Sequence, residues 1–274
     1  MSTQRGASRG LRIFGGLAAL AVLLASGTTP VQASQLYYVG GHADLGVGYS
    51  GSGNSFDLHY HFVNSTRIAF DHPLSTAKTI IAWQVQDGIV IDREQEPGGA
   101  ITYVGTPTDP ASATVAGYLG LAAGDPYWYL PADSAVAAAQ GKPWLGFGSE
   151  ELEDYLLDFS DLTWTLTGVS GPGEFAVWKD SGLLWSSATG ASSFIAPIGH
   201  DHAFYGFSAA GLYQVTITVT AQHRQFGQVQ GTGTYRFQVG PPAAVPEPST
   251  VALLGIGGVT TGLAACRRRA RRAR

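Results

Sequence analysis

The chain has 274 residues and a formal net charge of −4, and charged residues make up only 13% of it. Aromatic residues make up 11%, and there is one Cys and one Met. So much aromatic content with so few charges excludes a solvated disordered chain. The slightly acidic balance disfavours nucleic-acid binding, and a single cysteine excludes an internal disulfide framework.

The first 33 residues are predicted to be a cleaved signal peptide. Arg5, Arg9 and Arg12 form a positive start, residues 13–25 are almost wholly apolar, and residues 31–33 place small side chains before a cleavage point. The apolar stretch is shorter than the ~20 residues that a membrane-spanning helix needs. The chain is therefore expected to be exported by the general secretory pathway.

The C-terminal end carries a second targeting device. Residues 241–250 form a Pro-rich linker, which cannot pair regularly in a sheet. Residues 251–274 are an apolar run, expected to form a helix, followed by six arginines. An apolar run of about 15 residues is marginal as a span, and the arginines would hold that end in the cytoplasm. A C-terminal membrane anchor is one interpretation of this segment.

The order of these parts supports a sharper interpretation. Val245, Pro246, Glu247 and Pro248, then an apolar helix, then an Arg cluster resemble the PEP-CTERM sorting signal of Gram-negative bacteria. The resemblance implies that an exosortase-type transpeptidase recognises this motif and removes the tail, which anchors the chain transiently in the inner membrane. It also implies a protein of the cell surface, outer envelope or extracellular matrix, with an exopolysaccharide matrix as an expected partner.

Residues 34–240 are predicted to form one all-β domain. Apolar and polar residues alternate strictly over residues 162–167, 213–220 and 234–239, which is typical of strands with one buried face. Further strands are expected at 36–39, 45–49, 56–62, 79–84, 127–130, 174–178 and 204–207. One or two short helices are expected, at residues 134–140 and 150–157. Many short strands with few helices favour a single antiparallel β-sandwich or jelly-roll-like domain.

The histidines are the main chemical signal. His59 and His61 form one His-x-His element, His200 and His202 form a second, and His42 precedes Asp44 in a His-x-Asp element. Residues two apart on a strand project from the same face, so such pairs can converge on one ion. Imidazole with carboxylate suits zinc or a related divalent transition metal better than calcium or magnesium. The alternative is that these histidines only pack against neighbouring aromatic side chains.

A second resemblance covers most of residues 38–239. Residues 40–49, 58–61, 199–202 and 211–215 resemble the choice-of-anchor M domain, which is similar to repeats of actinobacterial surface-anchored proteins. Tyr205 stands where that family usually has Trp. The resemblance implies a domain displayed at the cell surface. Some actinobacterial relatives are encoded beside metal-type transporters, which agrees with the histidines.

Enzymatic activity is not expected. The chain has no Gly-x-Ser-x-Gly elbow, no His-Glu-x-x-His helix and no phosphate-binding Gly-x-x-x-x-Gly-Lys-Ser/Thr loop. The acidic run at residues 150–154 lacks the spacing of a calcium-binding loop and is interpreted as the solvated face of a short helix. Core packing is expected for most of the tryptophans that could instead stack on sugars, namely Trp83, Trp128, Trp144, Trp178 and Trp185.

The sequence thus predicts a non-enzymatic exported surface protein that binds a zinc-like divalent transition metal. A carbohydrate-binding or structural matrix module without metal is the alternative, and an extracellular metalloenzyme is the third hypothesis. Removal of the signal peptide and the tail would remove nine arginines, leaving seven basic against 19 acidic residues and a charge of −12 on residues 34–240. Such a surface attracts cations.

Overall fold

The computed structural model describes residues 35–241, apart from residues 53, 64, 71–78, 82–93 and 106–108. The predicted signal peptide and the predicted sorting segment, including Val245, Pro246, Glu247 and Pro248, lie outside the described residues. Among the described residues, no helix is long and apolar enough to cross a membrane.

Seventeen strands make up most of this region. In chain order they are β1 (Leu36–Ser50), β2 (Ser55–Phe62), β3 (Arg67–Phe70), β4 (Thr79–Ile81), β5 (Glu94–Gln95), β6 (Ala100–Val104), β7 (Asp109–Pro110), β8 (Pro126–Leu130), β9 (Pro143–Gly148), β10 (Leu162–Ser170), β11 (Phe175–Lys179), β12 (Gly182–Ser186), β13 (Ser193–Ala196), β14 (His200–His202), β15 (Phe204–Phe207), β16 (Gly211–His223) and β17 (Gly227–Val239).

The strands form two sheets, which confirms the all-β sandwich. The larger sheet has 12 strands and contains the path β13-β10-β16-β17-β6-β1-β2-β5, with β3, β4, β9 and β14 attached beside it. The smaller sheet has the order β12-β11-β15-β8-β7. The larger sheet is mixed rather than wholly antiparallel as predicted, because β1 runs parallel to β6 and β9, and β17 runs parallel to β6.

Three short helical segments connect the strands. They are α1 (Ala113–Leu119), α2 (Ser134–Gln140) and a 3₁₀ turn (Glu150–Tyr155). The side chain of Asp133 caps α2 by accepting a hydrogen bond from the backbone N–H of Val136 at 2.9 Å, and Gly141 ends the helix in the left-handed conformation. The predicted helix at 134–140 is confirmed, whereas the segment predicted at 150–157 is a shorter 3₁₀ turn.

An aromatic core joins the two sheets. Phe147 of β9 packs its ring against those of Trp164, Trp185, Phe194 and Tyr205, at centroid distances of 5.1–5.7 Å. Trp185 and Tyr205 belong to the smaller sheet, and Trp164 and Phe194 to the larger one. Since edge-to-face ring pairs add to the free energy gained from burial alone, this cluster fixes β9 against both sheets.

Truncation of Phe147 should therefore destabilise the domain strongly. We expect Phe147→Ala to lower the free energy of unfolding by about 3–5 kcal/mol, as for other buried Phe→Ala changes. Leu157→Ala is the control, because Leu157 is 80% exposed and exposed substitutions usually change stability by less than about 0.5 kcal/mol. Urea denaturation of the two variants measures the difference, and equal effects would contradict the assigned role of Phe147.

Candidate metal centre

Four adjacent strands present the predicted site residues. The strands lie in the order β2-β1-β9-β14, with β1 antiparallel to β2, β9 parallel to β1, and β14 antiparallel to β9. Their register creates two rows across the sheet, the first with His61, Asp44, Gly146 and His202 and the second with His59, Gly46, Gly148 and His200. The strand register thus brings residues from both ends of the domain side by side.

Alternation along the strands directs these side chains to one face. In β1, Ala43, Leu45 and Val47 are buried in the core, so the residues between them face the other way. In β9 the core residues are Leu145 and Phe147. The same period of two brings both His-x-His elements and the His-x-Asp element to one common face.

Glycines keep that face open. A Cβ on Gly146 would lie 2.2 Å from Oδ1 of Asp44 and 2.9 Å from Cε1 of His202. A Cβ on Gly46 would lie 2.5 Å from Nε2 of His59. Because real Cβ atoms do not approach other atoms so closely, the absence of these side chains is what allows the imidazoles and carboxylates to fold over the strands.

The residues that we call the His42 cluster are His42, Asp44, His200 and His202. One potential ligand atom from each residue lies within 4.8 Å of all the others. Nε2 of His42 is 3.2 Å from Oδ2 of Asp44, and Nε2 of His200 is 3.4 Å from Oδ1. Asp44 is only 3% exposed, so its carboxylate is held among three imidazoles with little access to water.

The imidazoles of His200 and His202 approach each other through their Nε2 atoms, which are 2.7 Å apart. Two unprotonated nitrogens would direct their lone pairs at each other at this distance. One nitrogen must therefore donate a proton to the other, or both must face one shared cation. The ring of His202 is also stacked on Trp144, with centroids 3.7 Å apart and an interplanar angle of 7°, which fixes its orientation.

The environment shifts the pKa values of these two histidines in opposite directions. The hydrogen bond between Nδ1 of His200 and Oε1 of Glu150, 2.5 Å long, raises the pKa of His200. Burial lowers the pKa of His202 to about 4; the charge of Asp44 opposes this shift, and the neighbouring His200 and His42 add to it. Near neutral pH, His202 is thus held in the neutral form, which is the form that binds metals.

The residues that we call the His59 cluster are His59, His61 and Glu151. Oε1 of Glu151 lies 3.1 Å from Nε2 of His59 and 3.3 Å from Nδ1 of His61. The side chain of His59 is 4% exposed and that of Glu151 is 33% exposed. The six predicted site residues therefore form two groups rather than one. A glutamate of the 3₁₀ turn contacts histidines in each group.

The interpretation of residues 150–154 as a purely solvated helix face was wrong for two of them. Glu150 lies beside His200, and Glu151 lies between His59 and His61. Burial alone would raise the pKa of Glu150, but its hydrogen bonds with His200 and with its own backbone N–H lower it. The feature of the sequence that could have identified these two residues is their position, because they follow β9 after one residue and the glycines of β9 lie beneath the site.

The distances from Asp44 to His42 and His200 suit a tetrahedral ion. Ligand atoms about 2.0–2.1 Å from a zinc ion lie about 3.3–3.4 Å from one another in a tetrahedron. Oδ1 of Asp44 lies 3.3 Å from Nε2 of His42 and 3.4 Å from Nε2 of His200, and both distances match this edge. The 2.7 Å between the Nε2 atoms of His200 and His202 is shorter than the edge and would have to lengthen when an ion binds. Three nitrogen donors and one carboxylate are a donor set for zinc or a similar transition metal rather than for calcium or magnesium.

Comparison with known proteins identifies one family model. Residues 244–270 match the PEP-CTERM protein-sorting motif. Neither curated proteins nor solved structures give a match. The motif match confirms the predicted sorting signal, and it indicates a secreted, envelope-sorted protein of a Gram-negative bacterium that is processed by an exosortase-type enzyme.

Proposed function

We propose that this exported protein binds one divalent transition metal ion of the zinc type in the His42 cluster. The convergence of three imidazoles and one buried carboxylate within 4.8 Å carries the proposal. A cation between these groups would neutralise the buried carboxylate of Asp44 and remove the repulsion between the facing nitrogens of His200 and His202. The acidic surface of residues 34–240 would draw cations toward the site.

The surrounding residues support a metal site over simple packing. Glu150 contacts Nδ1 of His200, which directs the proton of the neutral ring to Nδ1 and leaves Nε2 for an ion. Such a carboxylate behind a metal-binding histidine is the usual outer partner in metalloproteins. Stacking on Trp144 fixes the orientation of the His202 ring. Both contacts would position a ligand before the ion arrives.

The wider role that we propose is display at the cell surface without enzymatic activity. The resemblance of residues 40–49, 58–61, 199–202 and 211–215 to the choice-of-anchor M domain supports surface display. The sorting motif at residues 244–270 fits a protein that leaves the cytoplasm before its domain functions. A metal-binding domain in that location would hold ions at the envelope or in the matrix.

Metal analysis of the purified full chain tests this function. After loading with Zn²⁺ and dialysis, the chain should retain zinc, and His200→Ala with His202→Ala should remove the ion bound in the His42 cluster. Asp57→Asn is the matched control, because Asp57 is an exposed carboxylate on β2 that belongs to neither cluster. Equal zinc content in the wild type and in the double variant would contradict the proposal.

The sorting motif leads to a separate prediction. If an exosortase-type enzyme removes the tail, the protein recovered from the cell envelope should have a mass that excludes Arg267–Arg274. Replacement of Pro246 and Pro248 by Ala should leave the tail attached, because the recognised motif would be lost. Mass spectrometry of envelope fractions distinguishes these cases, and an intact C terminus in the wild-type protein would contradict processing.

A carbohydrate-binding module without metal is the second candidate. A cavity of about 460 Å³ beside the His42 cluster favours it, since Trp144, Arg67, Lys142 and Ser65 contribute to its lining. The buried state of Trp164, Trp178 and Trp185 weighs against a broad sugar-stacking surface. Retention of native exopolysaccharide by the metal-free chain would support this candidate over the metal-binding function.

A further inference from the structure

The His59 cluster has the composition and geometry of a metal site of its own. One carboxylate oxygen, Oε1 of Glu151, faces Nε2 of His59 and Nδ1 of His61 at 3.1 and 3.3 Å. One potential ligand atom from each of the three residues lies within 4.8 Å of the other two. Two imidazoles and one carboxylate around a common point are ligands typical of zinc sites that keep a further coordination position open.

The local packing reserves space for this arrangement. Gly46 lies next to the ring of His59, where a Cβ would lie 2.5 Å from Nε2. Gly48 lies beneath Glu151, where a Cβ would lie 2.9 Å from Oε2. Two alternate positions of β1 thus lack side chains where the imidazole and the carboxylate meet. The side chain of Glu151 is 33% exposed, which gives an ion access from solvent.

The two clusters are neighbours within one face. Asp44 of the His42 cluster is paired with His61 of the His59 cluster across β1 and β2. The consecutive residues Glu150 and Glu151 divide between them, since Glu150 contacts His200 and Glu151 contacts His59 and His61. Residues of a single 3₁₀ turn therefore contact both clusters, and the geometry of both clusters depends on the position of this turn.

We propose that the His59 cluster binds a second divalent transition metal ion, held by His59, His61 and Glu151, beside the ion of the His42 cluster. The inference rests on the proposed metal-binding function and extends it from one ion to two per chain. In the His59 cluster three protein ligands leave a coordination position that water or an external oxygen ligand can fill. The His42 cluster supplies four protein ligands and is the closed site of the pair.

Counting the ions bound to the full chain tests the proposal. We expect the wild-type chain to bind two Zn²⁺ ions, and Glu151→Gln to weaken one of them at least 100-fold, since loss of even an indirect contact to a metal ligand costs about 10–100-fold in affinity. Glu153→Gln is the matched control, because it alters an exposed glutamate of the same turn outside both clusters. Isothermal titration calorimetry measures both numbers and affinities.

A second pair of variants separates the two sites. His59→Ala with His61→Ala should leave one ion in the His42 cluster, and His200→Ala with His202→Ala should leave one ion in the His59 cluster. Glu151→Gln, which preserves the size of the side chain, provides the answer if the double variants fold poorly by circular dichroism. One ion in the wild type that is insensitive to Glu151→Gln would overturn the second site alone, whereas no bound ion would overturn both sites.

Discussion

Binding of zinc in the His42 cluster is expected to raise the melting temperature of the full chain by roughly 5–10 °C. A ligand that binds only the folded state adds about 2.7 kcal/mol of stability per site at 100 times its Kd. One kcal/mol shifts the melting temperature of a domain of 150–250 residues by about 2–4 °C. Because the ligands of the His42 cluster come from β1 and β14, the unfolded chain cannot reproduce the site.

Asp44→Asn should remove most of the stabilisation that zinc provides through the His42 cluster. The substitution keeps the shape of the buried side chain but replaces the one anionic ligand of the His42 cluster, so zinc would face three neutral imidazoles and an amide. Melting curves with zinc and with a chelator measure the zinc-dependent shift for each variant. Asp57→Asn serves again as the control and should retain the full shift. A full shift in Asp44→Asn would contradict the role of this carboxylate.

The second large effect is expected at Gly146. In Gly146→Ala the new methyl group would lie 2.2 Å from Oδ1 of Asp44 and 2.9 Å from the backbone oxygen of Asp201. Since β9 lies between β1 and β14, relief of this clash must move Asp44 or displace the strand that carries His202. We expect loss of zinc binding in the His42 cluster, with a destabilisation of about 1–3 kcal/mol, as for other overpacked sites.

The control for this prediction is Gly117→Ala in α1. A Cβ on Gly117 meets no heavy atom within 4 Å, and the residue is exposed within a helix, so the change should stabilise the domain by about 0.5–1 kcal/mol. Urea denaturation and zinc titration of the two variants provide the comparison. Normal zinc binding by Gly146→Ala would show that the open face of β9 has no part in the site.

The sequence predicted individual strands better than the way in which the strands connect and pair. The alternation at residues 213–220 and 234–239 predicted two strands, which are confirmed as β16 and β17 and which pair in antiparallel orientation. Residues 36–39 and 45–49 were predicted as two strands but form the single strand β1. Gly41 has a φ of +75° inside this strand. β1 bends at Gly40 and Gly41, where it changes from one set of partner strands to another, and in the sequence such a glycine pair is equally typical of a turn between two strands.

The candidate site shows the same limit. The period of two correctly indicated that each His-x-His pair shares a face, but it could not indicate that β9 lies parallel to β1 and between β1 and β14. That placement depends on the packing of Phe147 against both sheets, which no local pattern specifies. Glu150 and Glu151 were missed for a related reason, because an acidic run adjoining a strand has the same composition whether it faces water or folds over a binding site.

The pairing of β9 with both β1 and β14 also bears on the stage at which the His42 cluster could bind an ion. His42 and His200 are separated by most of the domain, and contacts between such distant segments form only when the whole sheet assembles. A chain that crosses a membrane in an unfolded state has no such site and cannot carry an ion with it. If the predicted signal peptide exports the chain in an unfolded state, an ion bound in the proposed site would therefore be taken up only in the compartment where the domain folds, and the metal content would report completed folding there.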